Sequence, residues 1–446
     1  MTLRPLALSS LALLALPLAG CPRPQKDAAP DAQAAPVASA SASSAPGSPC
    51  TMQAPIVVDR GARLETGLTA VPMGDAVAIG YATGDGPRVT MVDGSGVHAA
   101  NTDWSHVRDV EARPGTGIVR HLLRVTPLGV RGGKMRVGID LRDVQGTGAA
   151  AKTSHLRCGA GDDSPIVIDD DYLNFQDPSE DDVASYPVKD TAVDYQECRT
   201  FGDADEVWAV ATRVRRASKD NHDLLYEWMV DQARGQATVH DPVIDHREVK
   251  PAAGKYPKVE HFFAPVGVRV SGAGVVLVAR DQGSLVVARR TSLLERASAP
   301  TTMWLGAAAG MPALAERGGT VLLATTEWQK SDLYASSFPA TGAPRKPEKV
   351  ALGDTGGDPR DSASLDAASD GSILVAFVDG KAPARRLRMV VLGGDLKPKI
   401  AQPIDVTPPD VNVGEARIVS LGGGKAMLAY IDATGALSSV TASCKY

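Results

Sequence analysis

Short apolar runs, each opened by a Gly or Asp turn and closed by a second polar turn, recur along the chain. In the clearest, Ser369-Asp370-Gly371-Ser372 leads into Ile373-Leu374-Val375-Ala376-Phe377-Val378, and Asp379-Gly380 ends it. Variants occupy 74–81, 205–212, 274–280, 319–325 and 424–430, with a weaker copy at 117–123. Apolar residues do not alternate with polar ones in these runs, so both faces must be covered, as in strands sandwiched between sheets. Their shortness, their Val and Ile content and the Gly at their edges oppose helix.

The later copies lie roughly 45 to 55 residues apart, the length of a four-stranded repeat unit. The pattern therefore predicts an all-β chain: a β-propeller of about seven four-stranded blades, each apolar run being the inner strand of one blade. The expected blades cover 64–101, 104–158, 194–244, 262–301, 311–352, 361–406 and 411–446. The stretch 223–230 fits a helix face and a strand equally well; within a repeat of strands it is read as strand. Such a ring absorbs 446 residues as one unit, and 44 Gly and 31 Pro supply the turns it needs. The net charge of −5 leaves no basic field for phosphate backbones, so nucleic acid is excluded as a partner.

The first twenty residues read as an export signal: Arg4, an apolar segment from Leu6 to Leu18, then Leu18-Ala19-Gly20-Cys21. That ending resembles the lipobox of bacterial lipoproteins. The resemblance implies cleavage before Cys21 and lipidation of its side chain. Pro22 stands where an Asp commonly retains such proteins in the inner membrane, so it points to an outer-membrane, lipid-anchored chain. Residues 21–49 are almost entirely Ala, Pro and Ser and read as a flexible tether, leaving 50–446 for the folded body.

Cys50, Cys158, Cys198 and Cys444 remain, an even number in an exported chain, which invites disulfides. A propeller commonly closes by mixing strands from both chain ends in one blade. If 54–59 pairs antiparallel with 437–443, Cys50 lies beside Cys444, which predicts that bridge and leaves Cys158 with Cys198. Closing so long a loop is worth several kcal/mol, on the order of 4.

Chemistry is sparse. No Gly-x-Ser-x-Gly occurs, and Gly422-Gly423-Gly424-Lys425 is followed by Ala426, which cannot bind magnesium; it reads as a hairpin turn. Gly146-Thr147-Gly148 lacks the alternating strands and helices of a dinucleotide site. The acidic stretch Asp162, Asp163, Asp169, Asp170, Asp171, Asp177, Glu180, Asp181 and Asp182 could hold calcium, but it lacks EF-hand spacing and reads as a solvated loop. His240-Asp241-Pro242-Val243-Ile244-Asp245-His246 gathers metal-type ligands without the spacing of a zinc site, and Pro242 suggests a connecting loop. Arg385, Arg386 and Arg388 read as a guard on a blade edge. No catalytic, cofactor or metal residue is therefore assigned.

Ser369-Asp370-Gly371-Ser372 resembles the Asp-box turns of sialidases, but the aromatic that closes that motif is absent and the family's arginine triad cannot be placed, so its activity is not carried over. In anchor plus ring the chain is similar to the propeller lipoprotein of the outer-membrane barrel-assembly machinery. Aromatic residues are only 4% of the chain, which weighs against a sugar platform. The expectation is a monomeric, non-enzymatic binding or scaffolding module of the cell envelope, held to the membrane by its lipid and meeting an envelope protein through loops at one end of the ring. The alternative is an envelope hydrolase or lyase with its site in the central channel.

Overall fold

The computed structural model describes residues 50–102, 104, 118–145, 152–160, 167–169, 194–216, 224–234, 237–249, 265–281, 284–291, 296–304, 310–327, 332–352, 360–400 and 402–445. Among them there is no α-helix; all regular structure is β apart from one 3-10 turn at Pro409–Val411.

The strands form seven antiparallel sheets. β1 (Cys50–Met52) and β2 (Ile56–Asp59) belong to the last. Blade 1 holds β3 (Thr69–Met73), β4 (Ala76–Thr83), β5 (Gly86–Asp93) and β6 (Gly96–Ala99). Blade 2 holds β7 (Ile118–Arg131), β8 (Lys134–Gln145), β9 (Lys152–Ala160) and β10 (Val167–Asp169). Blade 3 holds β11 (Asp194–Gly202), β12 (Val207–Arg216), β13 (Leu224–Arg234) and β14 (Ala237–Val249). Blade 4 runs through β15 (Val266–Val270), β16 (Gly274–Asp281), β17 (Ser284–Arg290) and β18 (Arg296–Trp304). Blade 5 follows with β19 (Ala313–Arg317), β20 (Thr320–Thr326), β21 (Leu333–Pro339) and β22 (Glu348–Lys349). Blade 6 is β23 (Arg360–Ala367), β24 (Ile373–Asp379), β25 (Arg386–Leu392) and β26 (Ile404–Asp405). Blade 7 is β27 (Val413–Gly422), β28 (Lys425–Asp432) and β29 (Leu437–Cys444), and both β1 and β2 pair with β29.

The first strand of each blade contacts the first strand of the next, and β27 returns to β3, so the ring closes as a β-propeller. Closure uses strands from both ends of the chain, and Cys50 lies directly opposite Cys444 in the β1–β29 ladder and is bonded to it. The second bridge, Cys158 to Cys198, ties β9 of blade 2 to the inner strand of blade 3. Both predicted disulfides are therefore present, and 223–230 falls mostly in strand, as expected.

One expectation is corrected. The recurring apolar runs are the second strands of the blades, β4, β12, β16, β20, β24 and β28, one place out from the channel. A second strand has a ladder on each edge and a neighbouring blade on each face, so every residue of β24 is buried. The inner strands border the channel, and β3, β15 and β19 are mostly half-buried. The weak copy at 117–123 is itself the start of an inner strand, β7.

The core is accordingly a set of layers between blades. Leu374, Val378, Ile418, Leu428 and Val440 fill the space between blades 6 and 7. Ile79, Tyr81, Met427 and Ile431 fill that between blades 7 and 1, so the seam carries an apolar layer like the others.

Candidate functional site

All inner strands run in the same sense. Gly67 and Arg124 form a parallel bridge, and along β23 and β27 the contacts advance together: Ser364 Oγ accepts from Ile418 N at 3.1 Å, and Asp366 Oδ2 from Ser420 N at 2.7 Å. The beginnings of the inner strands thus share one face of the ring, here called the mouth.

A polar arc runs through four blades, from Glu415 at the mouth to Thr200 near the end of β11. On β27, Glu415 Oε1 accepts from Arg417 Nη2 at 2.5 Å, and its Oε2 accepts from the backbone N of Leu68, in the lead-in to β3, at 3.0 Å. Next to Leu68, Gly67 donates its N–H to the carbonyl of Leu123 on β7 at 2.9 Å. The Arg124 guanidinium lies against Gly67 so closely that a Cβ there would sit 3.0 Å from Arg124 Nε, a tight contact that glycine avoids. Arg124 Nη1 in turn faces Asp140 Oδ2 at 3.5 Å, and Asp140 Oδ1 accepts from both the N–H (3.0 Å) and the hydroxyl (2.6 Å) of Thr200 on β11.

Exposure is graded along this arc. The side chains of Arg417, Glu415 and Arg124 are 27%, 17% and 14% exposed, whereas Asp140 is fully enclosed. Burial pushes the Asp140 carboxyl up to about 6, against the opposing pull of Arg124 and the Thr200 hydrogen bonds. A carboxylate and two guanidinium groups are therefore within reach of solvent, with a buried acid behind one guanidinium to hold it in place. Such a set can orient a polar substrate through charge-assisted hydrogen bonds and can move a proton at Glu415.

The residues singled out from sequence lie elsewhere. The turn Ser369-Asp370-Gly371-Ser372 connects β23 to β24, at the face opposite the mouth. Asp370 accepts from the Ser372 N–H at 3.0 Å and hydroxyl at 2.8 Å, which holds its carboxyl below the usual range, and Gly371 takes φ +83°. It is a structural turn. Arg386 and Arg388 do not guard an edge: they stand on β25, the third strand, where Arg388 pairs with buried Asp379 at 2.9 Å and with Asp405 at 2.7 Å. The 240–246 cluster lies inside β14, where the pairing with β13 is irregular, and not in a connecting loop. Gly422-Gly423-Gly424 is the β27–β28 hairpin turn, as expected. Asp169 ends β10, while the rest of the acidic calcium candidate from Asp162 to Asp182, apart from 167–168, lies outside the described residues, as do Cys21 and the glycines at 146–148.

Among the described residues, one group of three metal-type ligands comes together, Asp140 with Cys158 and Cys198, and both sulfurs are committed to the disulfide. Sequence reasoning missed the arc altogether. Glu415, Arg417, Arg124 and Asp140 belong to no local motif, and a gap of 347 residues separates Glu415 from Leu68.

No known protein family matches the sequence, and no curated protein matches it. Solved structures of similar fold include a NanB sialidase mutant from Streptococcus pneumoniae, at 8% identity and TM-score 0.40, covering 82% of this chain and 83% of that one. A xylan β-1,4-xylosidase from Bacillus halodurans matches at 10% identity and TM-score 0.36 over 77% of this chain and 56% of that one. An endo-1,4-β-xylanase from Bacteroides thetaiotaomicron matches at 10% identity and TM-score 0.31 over 54% and 87%. At these scores the likeness is one of fold. All three are enzymes by name, and against them the expectation of a non-enzymatic binding or scaffolding ring is withdrawn.

Proposed function

We propose that the chain is a cell-envelope hydrolase acting at the mouth of the propeller channel, on a carboxylate-bearing glycan. The observation that carries this reading is the arc itself: a partly exposed carboxylate, Glu415, paired with Arg417 and linked through the Gly67–Leu68 backbone to Arg124, with Asp140 behind. In this reading Glu415 accepts the proton of the water that attacks the anomeric carbon, the glycosidic C–O bond breaks, and the departing oxygen takes its proton from solvent. The planar guanidinium groups of Arg417 and Arg124 suit the planar carboxylate of an acidic sugar. Asp140, out of contact with solvent, is a positioning residue that fixes Arg124. Guanidinium recognition suits a chain poor in aromatic platforms, and the names of the similar folds make glycosides the first substrates to try.

The test is hydrolysis by the mature protein of acidic polysaccharides such as polygalacturonate, sialylated glycans and alginate, with neutral xylan beside them. Glu415→Gln is expected to lower kcat by about a hundredfold or more while the melting temperature holds, the usual weight of a general base. Absence of hydrolysis across the panel, or full activity in the variant, would defeat the reading.

The address is part of the proposal. The chain is a lipoprotein anchored through Cys21 in the outer membrane, working as a monomer with no nucleic-acid partner, and its two disulfides suit an oxidising compartment. Labelled palmitate should enter the wild-type chain and fail to enter Cys21→Ser.

A further inference from the structure

In the layer between blades 4 and 5 an arginine stands in line with aliphatic side chains. Successive inward positions of β17 are Leu285, Val287 and Arg289; the first two pack with Val276, Val321, Leu323 and Phe338. Arg289 pairs with Val276 across the ladder and is only 8% exposed. Its Nε and Nη2 are buried and have no hydrogen-bond partner among the described residues. Burial pushes its pKa down from the ordinary arginine value.

Beside this guanidinium lies a cavity of about 220 Å³, walled by Val270, Ala273, Val275, Val276, Ala340 and Thr341. Thr341 is exposed, so the cavity is entered from solvent, near the end of β15 and at the face opposite the mouth. A buried cation that meets no counter-charge among the described residues, at the rim of an apolar hole, is costly for the fold alone. It is the arrangement that an amphipathic anion would complete.

We propose that this cavity binds a small monocarboxylate with an apolar body, its carboxylate forked on Arg289 and its hydrocarbon part lying against Val270, Val276 and Ala340. A cavity of about 150 Å³ admits benzene, so this one has room for a chain or ring of about six to eight carbons. A bare inorganic anion would satisfy the guanidinium and leave the valine walls uncovered; a neutral alcohol would do the reverse.

Calorimetric titration of the mature protein with octanoate tests the site, with octanol and inorganic phosphate as controls. Octanoate is expected to bind once per chain and to raise the melting temperature, with octanol and phosphate at least about tenfold weaker. Arg289→Met should weaken octanoate at least about tenfold, and Val276→Phe, which fills the cavity and keeps the cation, should do so as well. No binding of octanoate overturns the proposal, as does equal binding of octanol or phosphate, or a titration that Arg289→Met leaves unchanged. Should either variant fail to fold, the comparison of the three ligands on the wild-type protein decides.

Discussion

Asp140 and Arg289 are both charged side chains buried between neighbouring blades, and their surroundings differ in kind. Asp140 receives two hydrogen bonds from Thr200 on one oxygen and faces Arg124 with the other, so groups from blades 2 and 3 offset part of its burial. Arg289 is inserted among valines and leucines of blades 4 and 5, with two of its nitrogens unmet among the described residues. The first is a structural linkage behind a polar mouth; the second is a charge that the fold tolerates without internal use for it. Compensated charge holds a ring together, whereas uncompensated charge beside a cavity points outward, to a ligand.

The largest effect that would break this contrast is expected from Arg124→Met. Removing the cation that faces a fully buried carboxylate should cost about 3 to 5 kcal/mol in denaturant unfolding at neutral pH. A loss comparable to an ordinary surface substitution would mean that Asp140 is no better compensated than Arg289.

The next effect is one of pH. The folded-state value of Asp140, about 6, lies above the ordinary 3.8, so the folded chain holds this proton more tightly than the unfolded chain does. Its contribution to stability is complete at acid pH and is lost as pH rises through that window, about 3 kcal/mol in all. Subtracting the stability profile of Asp140→Asn from that of the wild type should reveal this fall between about pH 4 and 7. A flat difference would show the carboxyl to be ordinary.

The smallest effect has the opposite sign. Arg289→Met, in the absence of ligand, is expected to raise stability by about 1 to 2 kcal/mol, because it replaces a buried, unmet charge with an apolar side chain. A loss instead would show that the guanidinium has an internal role, and the contrast with Asp140 would dissolve.

Much of the fold was legible because the second strands are covered on both faces. In Ile373 to Val378 no position faces water, so no polar residue interrupts the run and the repeat stands out. What could not be read was which strand of the blade the run forms. An inner strand such as β23, with Ser364 and Asp366 capping backbone N–H groups of the next blade, has no apolar signature. Its polar side chains are satisfied by residues 54 positions away, a relation without trace in a local window. The arginines at 386 and 388 misled for the same reason: they looked like solvated edge charges until Asp379 and Asp405 were brought beside them.

By itself the sequence determined the all-β ring, the pairing of the cysteines and the meeting of the two chain ends, since all three follow from local burial patterns and the logic of closing a repeat. Tertiary structure alone decided which charges face one another. Glu415, Leu68, Arg124 and Asp140 join only when blades 7, 1 and 2 are docked, and the cavity at Arg289 exists only between two finished sheets. Periodicity is imposed strand by strand through contact with water, whereas the chemistry of a site depends on distances between strands that are remote along the chain.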